Sequence, residues 1–184
     1  CSSLTSIPTN LFASNLSANN FSSIFASCSG LTNIPAQLFA SVSYATNMSS
    51  LFENCTGISS IPEGLFSTNS AVATFNSAFK GCTSLTTLPS YLFANCLSVT
   101  DYSETFASTN VTVIPNNCFN GNNATCTNIF DDNKIVTVGD NSLYGLNLGE
   151  GFFQDNTVLT TVGNDVFGTN TTSLRLMFNG CTNL

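Results

Sequence analysis

Residues 28–55 read CSGLTNIPAQLFASVSYATNMSSLFENC, and this stretch recurs with substitutions from one end of the chain to the other. Its Ile-Pro-x-x-Leu-Phe element stands at Ile7-Pro8 with Leu11-Phe12, Ile34-Pro35 with Leu38-Phe39, Ile61-Pro62 with Leu65-Phe66 and Leu88-Pro89 with Leu92-Phe93, 27 residues apart each time. Ile114-Pro115 with Cys118-Phe119 follows after 26, then Val138-Gly139 with Leu143-Tyr144 and Val162-Gly163 with Val166-Phe167 at intervals of 24. Six residues ahead of each Ile is a Cys-type position, Cys1, Cys28, Cys55 and Cys82, continued by Ser108, Asp132 and Asn156 and restored at Cys181. A Phe column, Phe25, Phe52, Phe79, Phe106, Phe130, Phe153 and Phe178, runs beside it. Four residues earlier comes a mostly apolar column, Phe21, Met48, Phe75, Tyr102, Cys126, Gly149 and Leu174, in which Gly149 is the misfit.

A fixed period of this length signals a solenoid, because one unit is too small to bury its own apolar face and must be covered by its neighbours. The expected fold is a single repeat solenoid over residues 1–184, of about seven coils of 24–27 residues. Each coil reads as two short extended segments, each running into a helical turn. In the first, Leu31 to Ile34, Pro35 presets φ for a first helical turn. In the second, Ala45 to Met48, Ser49 is a suitable N-cap, and Ser22, Asn76, Ser103 and Thr127 stand at the same place. Units over about 1–107 are regular; those over about 108–184 are shorter and hold most of the acidic residues, eight of the ten lying beyond residue 100. Residues 140–152 are the least regular, which predicts a bend or a widened loop. The chain opens and stops in mid-unit without atypical polar caps, so it reads as an internal segment of a longer chain.

The pattern Phe-x-x-Cys-x-x-Leu-x-x-Ile, intact in residues 25–34 and nearly so in 79–88, resembles the leucine-rich repeats of BspA-like bacterial surface proteins. Asn47-Met48-Ser49-Ser50-Leu51-Phe52 is similar to the related surface repeats of mycoplasmas. The resemblance implies a leucine-rich-repeat solenoid, short strands alternating with short helical turns, that recognises something at a cell surface.

Composition points the same way. Charged residues are 7% of the chain, far below the usual ~25%, so the surface is built of Ser, Thr, Asn and Gly. The net charge of −7, with only Lys80, Lys134 and Arg175 basic, argues against nucleic acid, whose phosphates need cationic side chains. It argues equally against anionic lipid, and no apolar run is long enough to insert in a bilayer.

The candidate sites are few. The column cysteines read as buried free thiols filling a core; Cys96, Cys118 and Cys126 stand off the column and leave a Cys96–Cys118 or Cys118–Cys126 bridge open. Seven Asn-x-Ser/Thr sequons, at Asn15, Asn20, Asn47, Asn54, Asn110, Asn123 and Asn170, are common by chance in such a composition. Asp131, Asp132, Asp155 and Asn156 recur 24 residues apart and suggest calcium chemistry, though solvated turns explain them better. The strand row Thr5, Thr32, Ser59, Thr86, Thr112, Thr137 and Thr160 forms an array of hydroxyls, the expected contact face. Tyr44 and Tyr91 fall off the core columns and are the aromatic candidates for that surface. With no His, no Trp and no phosphate-binding loop or metal signature, no catalytic residue, cofactor or metal is expected.

The reading is therefore an extracellular binding or adhesion module, at a cell or virion surface, whose partner is a protein or glycan on another cell or within the same assembly. The alternative is a non-catalytic spacer or decoration in a larger assembly such as a phage fibre. Exposed aromatics that cluster would favour binding; scattered ones would favour the spacer.

Overall fold

A computed structural model describes residues 1–119, 123–149, 151–168 and 173–184. The chain is a repeat solenoid in which two parallel ladders join successive coils. One ladder pairs Asn20, Asn47, Thr74, Asp101, Thr125 and Asn147, one residue from each of six coils. The other consists of a bridge between Ser60 and Thr87 and, in the later coils, a three-stranded parallel sheet of two-residue strands, β1 (Val113–Ile114), β2 (Thr137–Val138) and β3 (Thr161–Val162), in the order β1-β2-β3. Val113, Thr137 and Thr161 face one another, as do Ile114, Val138 and Val162.

The helical turns expected after each extended segment are not there: the described residues hold no helix. The third coil gives the reason. The N–H groups of Phe75, Ser77, Phe79 and Gly81 donate to Asp101, Ser103, Thr105 and Ala107 of the next coil, at 2.9–3.0 Å. The alternate N–H groups of Ala78, Lys80 and Cys82 close turns onto the carbonyls three residues back. An α-helix needs every N–H for its own i−4 carbonyl, whereas stacking here takes half of them. The alternation requires left-handed backbone at every fourth residue: Ser23 and Ser27, Ser50 and Asn54, Ser77 and Gly81, Glu104 and Ser108, Asn128 and Asp132, all near φ +51° to +71°. Gly, Asn and Asp tolerate that region best, which accounts for part of the composition. The expected caps are corrected too. The backbone N–H groups of Ser22, Ser49, Asn76 and Ser103 donate to the side-chain oxygens of Asn20, Asn47, Thr74 and Asp101 two residues earlier, at 2.8–3.1 Å. The capping group is the ladder residue, as in an Asx turn, and the Ser is its donor.

The core consists of aromatic columns at coil spacing. Phe12, Phe39, Phe66, Phe93 and Phe119 stack with ring centroids 5.2–5.9 Å apart. Phe25, Phe52, Phe79, Phe106 and Phe130 stack at 5.3–5.6 Å. Offset stacks of this kind add about 0.5–1.5 kcal/mol per pair beyond area burial.

All column cysteines are free thiols, but only Cys28, Cys55 and Cys82 lie in the core; Cys1 is exposed and Cys181 half-buried, because each stands in an end coil covered on one side alone. The Cys55 and Cys82 Sγ atoms donate to the carbonyls of Phe25 and Phe52 in the coil before, at 3.0 and 3.2 Å. The later members of this column sit one residue beyond Ser108 and Asp132. Thr109 is buried, and its hydroxyl hydrogen-bonds Asn133 Oδ1 at 2.7 Å, while Asn133 Nδ2 donates to the Phe106 carbonyl at 2.7 Å. Three residues after the Phe, rather than six before the Ile, is the spacing that the packing keeps. Cys96, Cys118 and Cys126 are likewise buried and free, so neither bridge left open by the sequence is formed.

Candidate functional site

The expected irregularity falls at the fifth and sixth coils. Asn147 pairs with Thr125, but the left-handed residues that follow, Gly151 and Asp155, stand one residue late relative to Asn128 and Asp132. The extra residue takes the Phe column out of step. Phe130 meets Phe152 edge-on at 6.5 Å, and the stack resumes only with Phe153 and Phe178 at 5.7 Å. A cleft of about 330 Å³ opens there, with Asp131, Asp132, Asp155 and Asn156 among its lining. The three aspartates are exposed, and Asn156 Nδ2 is committed to the Ile135 carbonyl at 2.8 Å. Among the described residues no group of three or more metal-ligating side chains is drawn together.

The hydroxyl row is placed largely as the sequence indicates. Thr5, Thr32, Ser59, Thr86, Thr112 and Thr160 are exposed. Thr137 departs from it: it is half-buried and belongs to the paired position in β2, one residue along, while Val136 fills the row. The Thr112 carbonyl accepts the Val136 N–H at 2.7 Å, and the Val136 carbonyl accepts the Thr160 N–H at 3.0 Å, so the later part of the row is fixed at sheet spacing.

The tyrosines are the informative residues. Tyr44 is 70% exposed and lines neither of the hollows around Tyr91, so the two aromatics singled out from the sequence do not share a site, the arrangement expected of a spacer. Tyr91 clusters with Tyr144, which the sequence pattern puts on a core column. Counting from the turn, Asn141 carries the left-handed φ as Asn117 does one coil earlier. Ser142 and Leu143 then take the places of Cys118 and Phe119 and are fully buried, and Tyr144 falls one residue further on and points out, 47% exposed. Tyr91, Ala94, Asn117, Phe119, Asn141 and Tyr144 line a depression of about 320 Å³, in which Asn117 Nδ2 donates to Tyr91 Oη at 3.4 Å. The readable signal was the three-residue step from Pro115 to Cys118, which in the next unit leads to Ser142.

The sequons at Asn20 and Asn47 are accounted for by turn geometry, since both side chains accept from the Ser two residues on. Asn170 lies outside the described residues. The one ion pair between side chains among the described residues, Lys80 Nζ to Glu104 Oε2 at 2.6 Å, is about a third exposed on each side.

The hydrogen bonds and register thus define a repeat solenoid with an outward row of hydroxyls and one two-tyrosine depression. No protein-family model matches the chain, and no curated protein sequence matches it. The solved structures similar to it are leucine-rich-repeat proteins. The leucine-rich repeat domain of APL1B is 14% identical with a TM-score of 0.34, over 88% of this chain and 47% of that one. The LRIM1/APL1C complex is 14% identical with a TM-score of 0.36, over 89% and 33%. A leucine-rich repeat protein of T. pallidum is 15% identical with a TM-score of 0.29, over 91% and 72%. The chain spans less than half the length of the first two. Scores of this size carry no argument beyond the chain's own hydrogen bonds.

Proposed function

We propose that this chain is a non-catalytic recognition module of the BspA-like leucine-rich-repeat kind, working outside the cell and binding a protein or glycan across its exposed Thr/Ser row and the neighbouring tyrosine edge. The observation that carries the reading is the pairing of Tyr91 with Tyr144 on one edge. Half-exposed aromatics gathered around a depression are where binding energy concentrates, and a spacer has no use for them. The row of hydroxyls, its later part held at strand spacing and nearly free of charge, supplies a regular polar surface. Parallel coils also suit the task because a solenoid presents an extended face at low contact order.

The test is surface-plasmon measurement of the purified chain against extracellular-matrix glycoproteins and whole cell envelopes. Saturable binding at micromolar concentration or tighter is expected, weakened at least tenfold in a Thr32→Lys/Thr86→Lys/Thr112→Lys variant or a Tyr91→Ala/Tyr144→Ala variant of unchanged Tm. Absence of saturable binding to every surface would establish the spacer reading instead.

A further inference from the structure

We infer that the depression between Tyr91 and Tyr144 is a subsite for a neutral oligosaccharide; the inference rests on the recognition reading above and names the ligand for one part of that surface. It starts from an unusual residue in a regular turn. Tyr91 sits at φ +59°, in the turn position that Gly64 holds one coil earlier at φ +69°. An aromatic residue is strained there and Gly is not. Tyr91 is also 63% exposed, so its ring gives little back to the core. Gly64, Asn117 and Asn141 hold the equivalent place in other coils, so an aromatic kept there, strained and facing outward, is an exception from which a function can be argued.

The surroundings specify the chemistry. Tyr144 stands on the same edge two coils on, by sheet spacing roughly 10 Å further along the axis. Between them are the amides of Asn117 and Asn141, themselves at φ +51° and +50°. Each amide offers two donors and an acceptor, and Asn117 is already engaged with Tyr91 Oη. Ala94 and Phe119 complete the lining, and none of the described lining residues is charged. A net charge of −7 also disfavours anionic ligands over the whole surface. Aromatic faces for C–H surfaces, amides for hydroxyls and no counter-ion together match a neutral sugar. A charged peptide would leave its ionic groups unanswered, at a desolvation cost. The volume, about 320 Å³, is at the lower end of the range for small-ligand sites, roughly 300–1,000 Å³, room for one or two sugar rings. On the other side of Tyr91 lies a second hollow of about 460 Å³, lined in part by Gly64, Ser67, Ser90 and Asn95, with the exposed carboxylate of Glu63 at its edge as a further acceptor for sugar hydroxyls. Tyr91 thus stands between two hollows along the solenoid axis, so a longer oligosaccharide can contact both.

The experiment titrates the full chain with cellohexaose, mannohexaose and chitohexaose and with the corresponding disaccharides, read by tyrosine fluorescence and calorimetry. The chain has no Trp and four Tyr, one of them, Tyr102, fully buried, so the fluorescence reports on the surface tyrosines. Saturable binding of at least one hexasaccharide is expected, at least tenfold tighter than its disaccharide. Tyr91→Ala and Tyr144→Ala each weaken it at least tenfold, and Tyr44→Ala leaves it unchanged. Tyr91→Gly suits the left-handed turn and keeps the fold, so its loss of binding excludes unfolding as the cause. No binding of any hexasaccharide, or equal loss in Tyr44→Ala, overturns the inference. If a protein or cell envelope is still bound while every sugar fails, the saccharide subsite falls and the recognition reading stands. If both fail, both fall.

Discussion

Phe79→Ala tests the column architecture most directly. Phe79 is fully buried and is the middle member of the second stack, with ring centroids 5.6 Å from both Phe52 and Phe106 and 6.3 Å from Phe66. Removing a buried Phe ring and leaving its cavity costs about 3–5 kcal/mol. Two stacked partners, each adding about 0.5–1.5 kcal/mol, place this site at the upper end, about 4–5 kcal/mol. A domain's whole stability is about 5–15 kcal/mol, so the variant should stand near the edge of folding. Because each coil touches only its neighbours, the damage is confined to the interfaces of one coil. The urea transition should then broaden, with a lower slope, as the two flanking arrays lose their coupling. Urea titration followed by far-UV circular dichroism reads both quantities. The comparison is Phe152→Ala at the break in the column, where a half-buried ring meets Phe130 edge-on at 6.5 Å; a cost of about 1–2 kcal/mol fits a partly packed site. A loss below about 2 kcal/mol for Phe79→Ala, or one no larger than for Phe152→Ala, would refute a core built of stacked rings, since the burial term alone exceeds that.

Burial pushes the Cys55 thiol up to about 11 and those of Cys82, Cys96 and Cys126 up to about 12. A raised folded value means the stability is whole below the ordinary thiol range, near 9, and is lost as pH rises from there toward 12; the Tm should fall over that window, and a flat profile to pH 11 would contradict thiol burial. In the native protein at pH 8, a thiol reagent should label Cys1 fast and Cys181 slowly, and fast labelling of four or more cysteines would sink the ladder. Glu104 is held below the usual carboxylate range by its hydrogen bond from Lys80, so its contribution is present above that range and disappears as pH falls through the lowered value; being exposed, the pair should contribute under about 1 kcal/mol, seen as a small, salt-sensitive loss in Glu104→Gln. Asn69, fully buried, donates from Nδ2 to the Phe39 and Val42 carbonyls at 3.2 and 3.1 Å; Asn69→Leu leaves those carbonyls with only their turn donors, the Val42 and Ala45 N–H groups, and should cost about 1–3 kcal/mol by urea titration, at about 0.5–1.5 kcal/mol per hydrogen bond lost.

Much of the fold was legible because burial imposes a period. Every Phe, Leu and Ile that must face inward returns at the coil length, so the Phe columns, the seven units and the irregular stretch near residue 149 could be read directly. The helical turns could not be called correctly, since Ser49-Ser50-Leu51-Phe52 fits a capped helix as well as it fits an alternating turn. Which of the two forms depends on whether the N–H groups of Ser50 and Phe52 close locally or reach Asn76 and Ala78 in the next coil, and that partner exists only once coils stack. The hydroxyl row was legible apart from Thr137. The tyrosine depression was not: Tyr91 was recognisably off the core pattern, but its neighbour is Tyr144, 53 residues on, turned outward by a one-residue slip of register. The sequence by itself determined the period, the inward columns and the shortage of charge, because these follow from which side chains water rejects. Only the tertiary structure decided the direction of each backbone N–H and the meeting of Tyr91 with Tyr144, because both are set by register between coils, where one residue more or less moves a side chain from the core to the solvent.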